Sequence, residues 1–319
     1  MSDAIADRSL EVAERIAART TGRPDDVRAA VRSVETCIEG FRKSVWPDVA
    51  WQFSSLSTDG CPLQFAFSTI DDVMRYTVDV AGPELSEAAR LAAACELIRR
   101  VGGAIVPAEQ RRAWEQLQSH YPLRWGAWIG VRHDGASIRS KLYVEVPRAM
   151  REAGQHFSSA VVSSSLLMMI GYDCQTQSEE YYFRQPQMDD HELAAFLGFI
   201  GDTAHRRATL DAFAELCGLP ARAALHWVNF GYSVPRSPDR GADFVMFVRS
   251  SSLPDVGKIR RLFLKRQKRR GMTSFYRDWF ENLPKERLPD HEIVSIIGRE
   301  IDEATELRIG MSATALARL

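Results

Sequence analysis

Several common signatures are missing from this 319-residue sequence, and each absence removes a class of function. No stretch approaches the roughly 20 uninterrupted apolar residues that a membrane helix needs. The opening residues, MSDAIADRSLEVAER, are acidic and polar where a signal peptide would be basic and then apolar. A cytoplasmic protein with no membrane partner is the expectation. The five cysteines, Cys37, Cys61, Cys95, Cys174 and Cys217, are odd in number, widely spaced and without a CxxC pair. That pattern gives neither a disulfide framework nor a zinc site, and reduced, mostly buried thiols are expected. The seven histidines are scattered with no HExxH spacing, so no metal site is predicted. GxGxxG, GxxxxGKS/T and GxSxG are absent, which argues against nucleotide folds and hydrolases of those types. With 41 Lys+Arg against 42 Asp+Glu, the net charge of -1 gives no field to attract nucleic acid. Any positive field must be local. A Pro/Ser-rich linker is missing too, so one domain over 1–319, with a polar lead over about 1–24, is the economical reading.

What is present is a regular change of hydrophobic period. Val27, Ala30, Val31, Val34, Ile38 and Phe41 recur at three- and four-residue steps, which predicts a helix over about 25–44. PLQFAFST and MRYTVDV then alternate as a strand pair over 62–80. Helical spacing returns at 86–102 and 107–119. RWGAWIGVRHDGASIRSKLYVEVP supplies two strands around the turn His133-Asp134-Gly135. Strands follow near 165–174, 179–184, 224–234, 242–250, 291–299 and 305–311, with helices over 189–217 and 254–283. Five hairpins separated by apolar-faced helices predict an α+β fold. Its sheet is a ten-stranded antiparallel barrel, closed and surrounded by helices.

The strands themselves say which face looks inward. In IRSKLYVEVP, Leu142, Val144 and Val146 share one face, and Arg139, Lys141, Tyr143 and Glu145 share the other. Leu63, Phe65 and Phe67 likewise oppose Gln64, Ala66 and Ser68, while Met74, Tyr76 and Val78 oppose Arg75, Thr77 and Asp79. One strand alone could be a solvated sheet surface. With helices between the hairpins, the apolar face packs outward and the polar face lines a lumen. Lys and Arg confined there call for an anion, each charge-assisted hydrogen bond to it contributing about 1.5–3 kcal/mol. Diphosphate fits that demand.

Two segments carry a family resemblance. DGCPLQFAFSTIDDVMRYTVDVAGPE has an acidic-Gly-x-Pro turn, a strand and a returning strand that opens with Arg, and HDGASIRSKLYVEVP has a Lys-x-Tyr strand ending in proline. Together they resemble the aromatic prenyltransferases of the αββα (ABBA) barrel type, particularly the indole prenyltransferases related to dimethylallyltryptophan synthase. The likeness in layout covers about residues 25–311. The resemblance implies transfer of a dimethylallyl or longer prenyl group from its diphosphate to an electron-rich aromatic, an indole or tryptophan derivative, in secondary metabolism. It implies that Arg75, Lys141 and Tyr143 bind the diphosphate, with Arg139, Tyr182, Arg184, Arg249 and Arg308 as further candidates. Arg249 and Arg308 serve equally well as salt-bridging residues. Cations would stabilise the departing diphosphate while aromatic faces shield the allylic cation from water. Tyr143, Trp128 and Tyr182 are the candidate shields, and Trp128 is as well suited to an ordinary core.

The departures are as informative. Gln64 stands where the family commonly carries a glutamate that accepts the acceptor's ring proton, and an amide is no base. Either Gln64 orients the acceptor, with deprotonation left to another group or water, or the acceptor is not free tryptophan. Glu180-Tyr181-Tyr182 stands where a second Lys-x-Tyr is expected, leaving Arg184 to pair with Glu180 or to supply the missing cation. Asp71-Asp72 and Asp189-Asp190 lack the third carboxylate of a DDxxD signature and read as turn or helix-start residues. Magnesium is not implied and no cofactor is required. The run KIRRLFLKRQKRR at 258–270 reads as the solvated face of a covering helix rather than as a contact for nucleic acid or lipid. A peptide-modifying prenyltransferase and a non-catalytic barrel for a hydrophobic anion remain as alternatives. Acceptor identity, prenyl length and oligomeric state stay open.

Overall fold

The computed structural model describes residues 2–21, 23–135, 137–151, 164–236, 243–270, 293–299 and 305–317. Ten strands run through it: β1 (Leu63–Ser68), β2 (Met74–Asp79), β3 (Ala127–Asp134), β4 (Ser137–Glu145), β5 (Leu166–Asp173), β6 (Ser178–Gln185), β7 (Phe230–Pro235), β8 (Phe244–Arg249), β9 (Ile293–Gly298) and β10 (Thr305–Ser312). Each is antiparallel to its neighbours, and β1 pairs with β10 to close the barrel, Gln64 lying opposite Ser312 and Ser68 opposite Arg308. The hairpin turns therefore all lie at one end, and the connections that carry helices lie at the other.

The helices are α1 (Ser2–Thr21), α2 (Pro24–Arg42), α3 (Pro47–Ala50), α4 (Glu87–Arg100), α5 (Ala108–Gln118), α6 (Asp190–Gly201), α7 (Ala204–Cys217), α8 (Ala221–Trp227), α9 (Val256–Arg269) and α10 (Ala313–Ala317). Among the described residues no helix is long and apolar enough to cross a membrane. The apolar strand face is buried against them: Phe65, Met74, Tyr76, Val78, Ile129, Leu142 and Val144 are at most 1% exposed. Each such side chain contributes roughly 1.5–3 kcal/mol of burial, so the sheet is held by its outside. On the far side of the barrel Phe196 of α6 and Phe213 of α7 pack on Phe230, and Phe196 also meets Tyr232, at ring separations of 5.1–5.7 Å. Asp189 starts α6 in a capping box with Glu192, a helix-start role for that acidic pair. The basic run lies on α9, where Ile259, Leu262, Phe263 and Gln267 turn inward and Gln267 donates to the Ser68 carbonyl at 3.0 Å. Arg261, Lys265, Lys268 and Arg269 stay exposed. None of the five cysteines is paired, and all but Cys95 are buried.

Two readings of the sequence need correction. The polar lead is the helix α1, whose buried stripe Ala6, Ser9, Val12, Ala13, Ile16 and Ala17 packs on α2 and α10. Mostly alanine, that stripe gives a weaker contrast between faces than the valine, isoleucine and phenylalanine stripe of α2, which hid it. Residues 224–227, read as the start of a strand, instead end the helix α8, and β7 begins only at Phe230. The predicted helical span beyond Arg270, to 283, lies outside the described residues.

Under α2 the outer barrel face carries one polar cluster. Ser33 bonds the Tyr76 hydroxyl and His133 Nε2, both at 2.6 Å. Burial pushes the His133 pKa down to about 4. The unfolded chain therefore binds a proton below pH ~6.5 that the folded one refuses, so stability is full above that pH and falls between about 6.5 and 4. Urea unfolding of the wild type should lose up to about 3 kcal/mol across that window relative to His133→Gln, and parallel pH profiles would refute the assignment.

Candidate active site

The lumen holds a cavity of about 1470 Å³. Its floor, at the helix-connected end, is fixed by two inward-facing carboxylates. Asp79 pairs with Arg90 at 2.5 Å, the two side chains 2% and 3% exposed, and accepts from the Ser54 hydroxyl at 2.8 Å. Burial raises the Asp79 carboxyl, against the opposing pull of Arg90. Glu145 accepts from the backbone N–H groups of Arg124, Trp125 and Gly126 at 2.7–2.9 Å and so ties that loop across the floor. Trp125 stacks on Trp128 at 3.9 Å between ring centroids.

Above the floor, cations stand in a row. Arg75 of β2 lies opposite Arg132 of β3, which lies opposite Arg139 of β4, and all three line the cavity. Asp71, in the β1–β2 turn, grips both terminal nitrogens of Arg75 at 2.5 and 2.6 Å and reaches Arg132 at 3.8 Å. Burial would raise the Asp71 carboxyl, but Arg75 outweighs it and holds the group low. Burial and the repulsion of Arg75 depress Arg132. Arg308 of β10 donates to Glu306 at 2.8 and 3.0 Å, and Glu306 also takes the Ser68 hydroxyl at 2.7 Å.

A second cluster faces this row. Lys141 pairs with Glu180, donates to the Tyr182 hydroxyl at 2.9 Å, and sits 5.7 and 5.2 Å from the ring centroids of Tyr143 and Tyr182. Glu180 also accepts from Tyr182 at 2.8 Å and from Ser233. Burial would lower Lys141, yet the Glu180 carboxylate beside it wins and holds it well above its ordinary value. Tyr143, Tyr182 and Phe247 adjoin edge to face or tilted at 5.9 and 6.0 Å, forming an aromatic wall.

Glycines on neighbouring strands make room for these side chains. A Cβ at Gly130 would lie 3.1 Å from the Tyr143 ring, and at Gly231 2.3 Å from the Phe247 ring. At Gly171 it would lie 2.7 Å from Lys141 Cε and 2.8 Å from the Tyr182 ring. A Cβ at Gly310 would lie 2.8 Å from the Gln64 amide oxygen. Three buried N–H donors of the cavity wall, Gln64 Nε2, Trp128 Nε1 and Arg132 Nε, have no hydrogen-bond partner among the described residues. They are available to a ligand.

No family model matches the sequence, and no curated protein does. Solved structures do match. The apo form of the prenyltransferase PriB superposes with a TM-score of 0.74 at 14% identity, over 98% of this chain and 96% of that one. The chain has the prenyltransferase-barrel fold. A 6-dimethylallyl tryptophan synthase gives 0.68 at 13% identity over 99% and 96% of the two chains. The 5-dimethylallyl tryptophan synthase of Streptomyces coelicolor, in complex with DMASPP and Trp, gives 0.65 at 15% over 98% and 95%. Identities this low speak for the fold, and the site rests on its own residues.

Of the residues singled out in the sequence, Gln64, Arg75, Trp128, Arg139, Lys141, Tyr143, Tyr182 and Arg308 line this one cavity. Arg184 and Arg249 do not, which corrects their place among the lumen cations. Both keep the inward parity of their strands, but they stand at the helix-connected ends of β6 and β8 and are exposed. The partner of Glu180 is accordingly Lys141 and not Arg184. Three members were missed. Arg132 shares the strand face of Trp128 and lies across the hairpin from Arg139, a signal that was readable. Phe247 is one alternation step from Val245 on an apolar strand, and Asp71 read as a turn residue only. Gly171→Ala should turn Lys141 and Tyr182 out of place and weaken inorganic pyrophosphate binding at least tenfold by calorimetry, while Gly198→Ala, with open space around it, leaves binding unchanged. Equal affinities would show that the glycine does not seat the pair.

Proposed function

We propose that the chain is an aromatic prenyltransferase of secondary metabolism. It would move a dimethylallyl or longer prenyl group from its diphosphate to an electron-rich aromatic, an indole or tryptophan derivative. The observation that carries this reading is the meeting, in one floored chamber, of the cationic row with the aromatic wall. Arg75, Arg132, Arg139, Lys141 and Arg308 would receive the diphosphate, which leaves with the electron pair of the broken C–O bond. Tyr143, Tyr182 and Phe247 would face the allylic cation, their rings stabilising it where water would consume it. The acceptor ring carbon then bonds the cation, and its proton would pass to water or to the departed diphosphate, since Gln64 cannot take it. The S. coelicolor synthase of the same fold is in complex with DMASPP and Trp, a pair of ligands that supports this reading.

The acceptor end is built differently. Gln64 is 7% exposed and offers amide hydrogen bonds from the β1 wall, so it orients the acceptor without removing its proton. Incubation with dimethylallyl diphosphate and a panel of indoles, phenols and short peptides should give a mass gain of one prenyl unit on an indole. Gain on a peptide side chain alone would place the activity among peptide-modifying enzymes. Tight diphosphate binding without turnover on any acceptor would make this a binding barrel. Arg75→Ala and Lys141→Ala should each lower turnover about a hundredfold, since each removes a charge that meets the leaving group. Wild-type rates in both would sink the donor site. Gln64→Glu should raise turnover on indoles, by restoring a carboxylate opposite the ring N–H.

A further inference from the structure

Glu180 places a negative charge in the wall that the diphosphate would meet. It sits on β6 with a side chain 21% exposed, opposite Gly171 on one neighbouring strand and Pro235 on the other. Around it stand Lys141 and Tyr143 from β4, Asp173 from β5, Tyr182 on its own strand and Asp243 ahead of β8, while β7 adds the uncharged Ser233. Lys141 is thus the one described cation in contact with Glu180. Arg236 pairs with Glu179, and Arg308 with Glu306. An anion that engages Lys141 either takes it from Glu180 or brings its own charge beside the carboxylate. In both cases the carboxylate is left in a partly buried site with less compensation and more negative charge nearby, which favours its protonated form.

We propose that Glu180 is a proton-linked counter-ion of the donor site: it holds Lys141 in the empty lumen and takes up a proton from solvent when a diphosphate engages Lys141. This rests on the lumen being the diphosphate site. In the empty lumen burial would raise Glu180, but Lys141 outweighs burial and holds the carboxyl low. The bound state reverses that balance. Diphosphate affinity then weakens as pH rises from the pKa of free Glu180 toward that of the bound form, because each binding event must capture a scarcer proton.

Titration calorimetry with inorganic pyrophosphate tests this, run in two buffers of different ionisation enthalpy at several values between about pH 5.5 and 8, on the wild type and Glu180→Gln. Proton changes of pyrophosphate itself are common to both proteins and cancel in the comparison. The wild type should take up an excess approaching about one proton per pyrophosphate somewhere in that range. Glu180→Gln should bind at least tenfold more tightly at the upper end, the gap closing as pH falls. The amide keeps the length of the side chain, thermal unfolding checks its fold, and Glu180→Ala should lose the same proton. Equal proton uptake in all three proteins, or weaker binding in both variants, overturns the inference and leaves the donor site standing. Pyrophosphate binding to none of them overturns the donor site, and this inference with it.

Discussion

A barrel that turns its polar face inward must neutralise the charges it encloses before any ligand arrives. Ion pairs in such a place gain little over a hydrophobic replacement, but a lone buried charge would cost several kcal/mol. The lumen meets this constraint locally. Arg75 has Asp71 in the adjoining turn, Lys141 on β4 reaches across β5 to Glu180 on β6, and Arg308 has Glu306 on its own strand. The net charge near zero in the sequence is reproduced on the scale of the cavity wall. An anionic ligand here does not fill an empty positive socket; it competes with carboxylates already in place, and its affinity is the difference between two sets of good contacts.

That exchange is possible because the rest of the barrel does not depend on it. The outward face carries the apolar contacts that hold the sheet, with helices packed over Phe65, Tyr76, Ile129 and Leu142. The two faces of each strand therefore divide the labour: the outer one sets stability, and the inner one is free to carry charge, glycine and aromatic rings in proportions no solid core would tolerate. The floor shows where the two meet. Asp79 and Glu145 face inward like Lys141, yet they are spent on fixing Arg90 and the loop at 124–126. Inward parity alone does not make a residue part of the site.

This is also why the sequence was legible in some places and opaque in others. Alternation along β1, β2 and β4 was strong enough to assign both faces, and hence the lumen position of Gln64, Arg75, Lys141 and Tyr143. Depth along the barrel was not in the pattern. Arg184 and Arg249 have the parity of lumen residues but stand at the wrong height, a quantity set by the stagger between strands rather than by period. Asp71 escaped because a turn residue has no parity to read. The helix α1 escaped because its buried stripe is mostly alanine, with Val12 and Ile16 as its only larger buried apolar side chains, so its two faces contrast less than those of α2.

The pairing of β1 with β10 has a consequence for how the chain reaches this state. Gln64 meets Ser312, so the last seam of the sheet joins segments about 250 residues apart. Every other strand pairing is between neighbours in sequence and can form as a hairpin or across one helical connection. The β1–β10 pairing therefore carries the largest loop-closure cost of the sheet, and a chain that has not made it would present two open edges of unpaired backbone groups, the arrangement prone to pairing with a second chain. Closing that one long-range seam removes both edges at once, which no single hairpin can do.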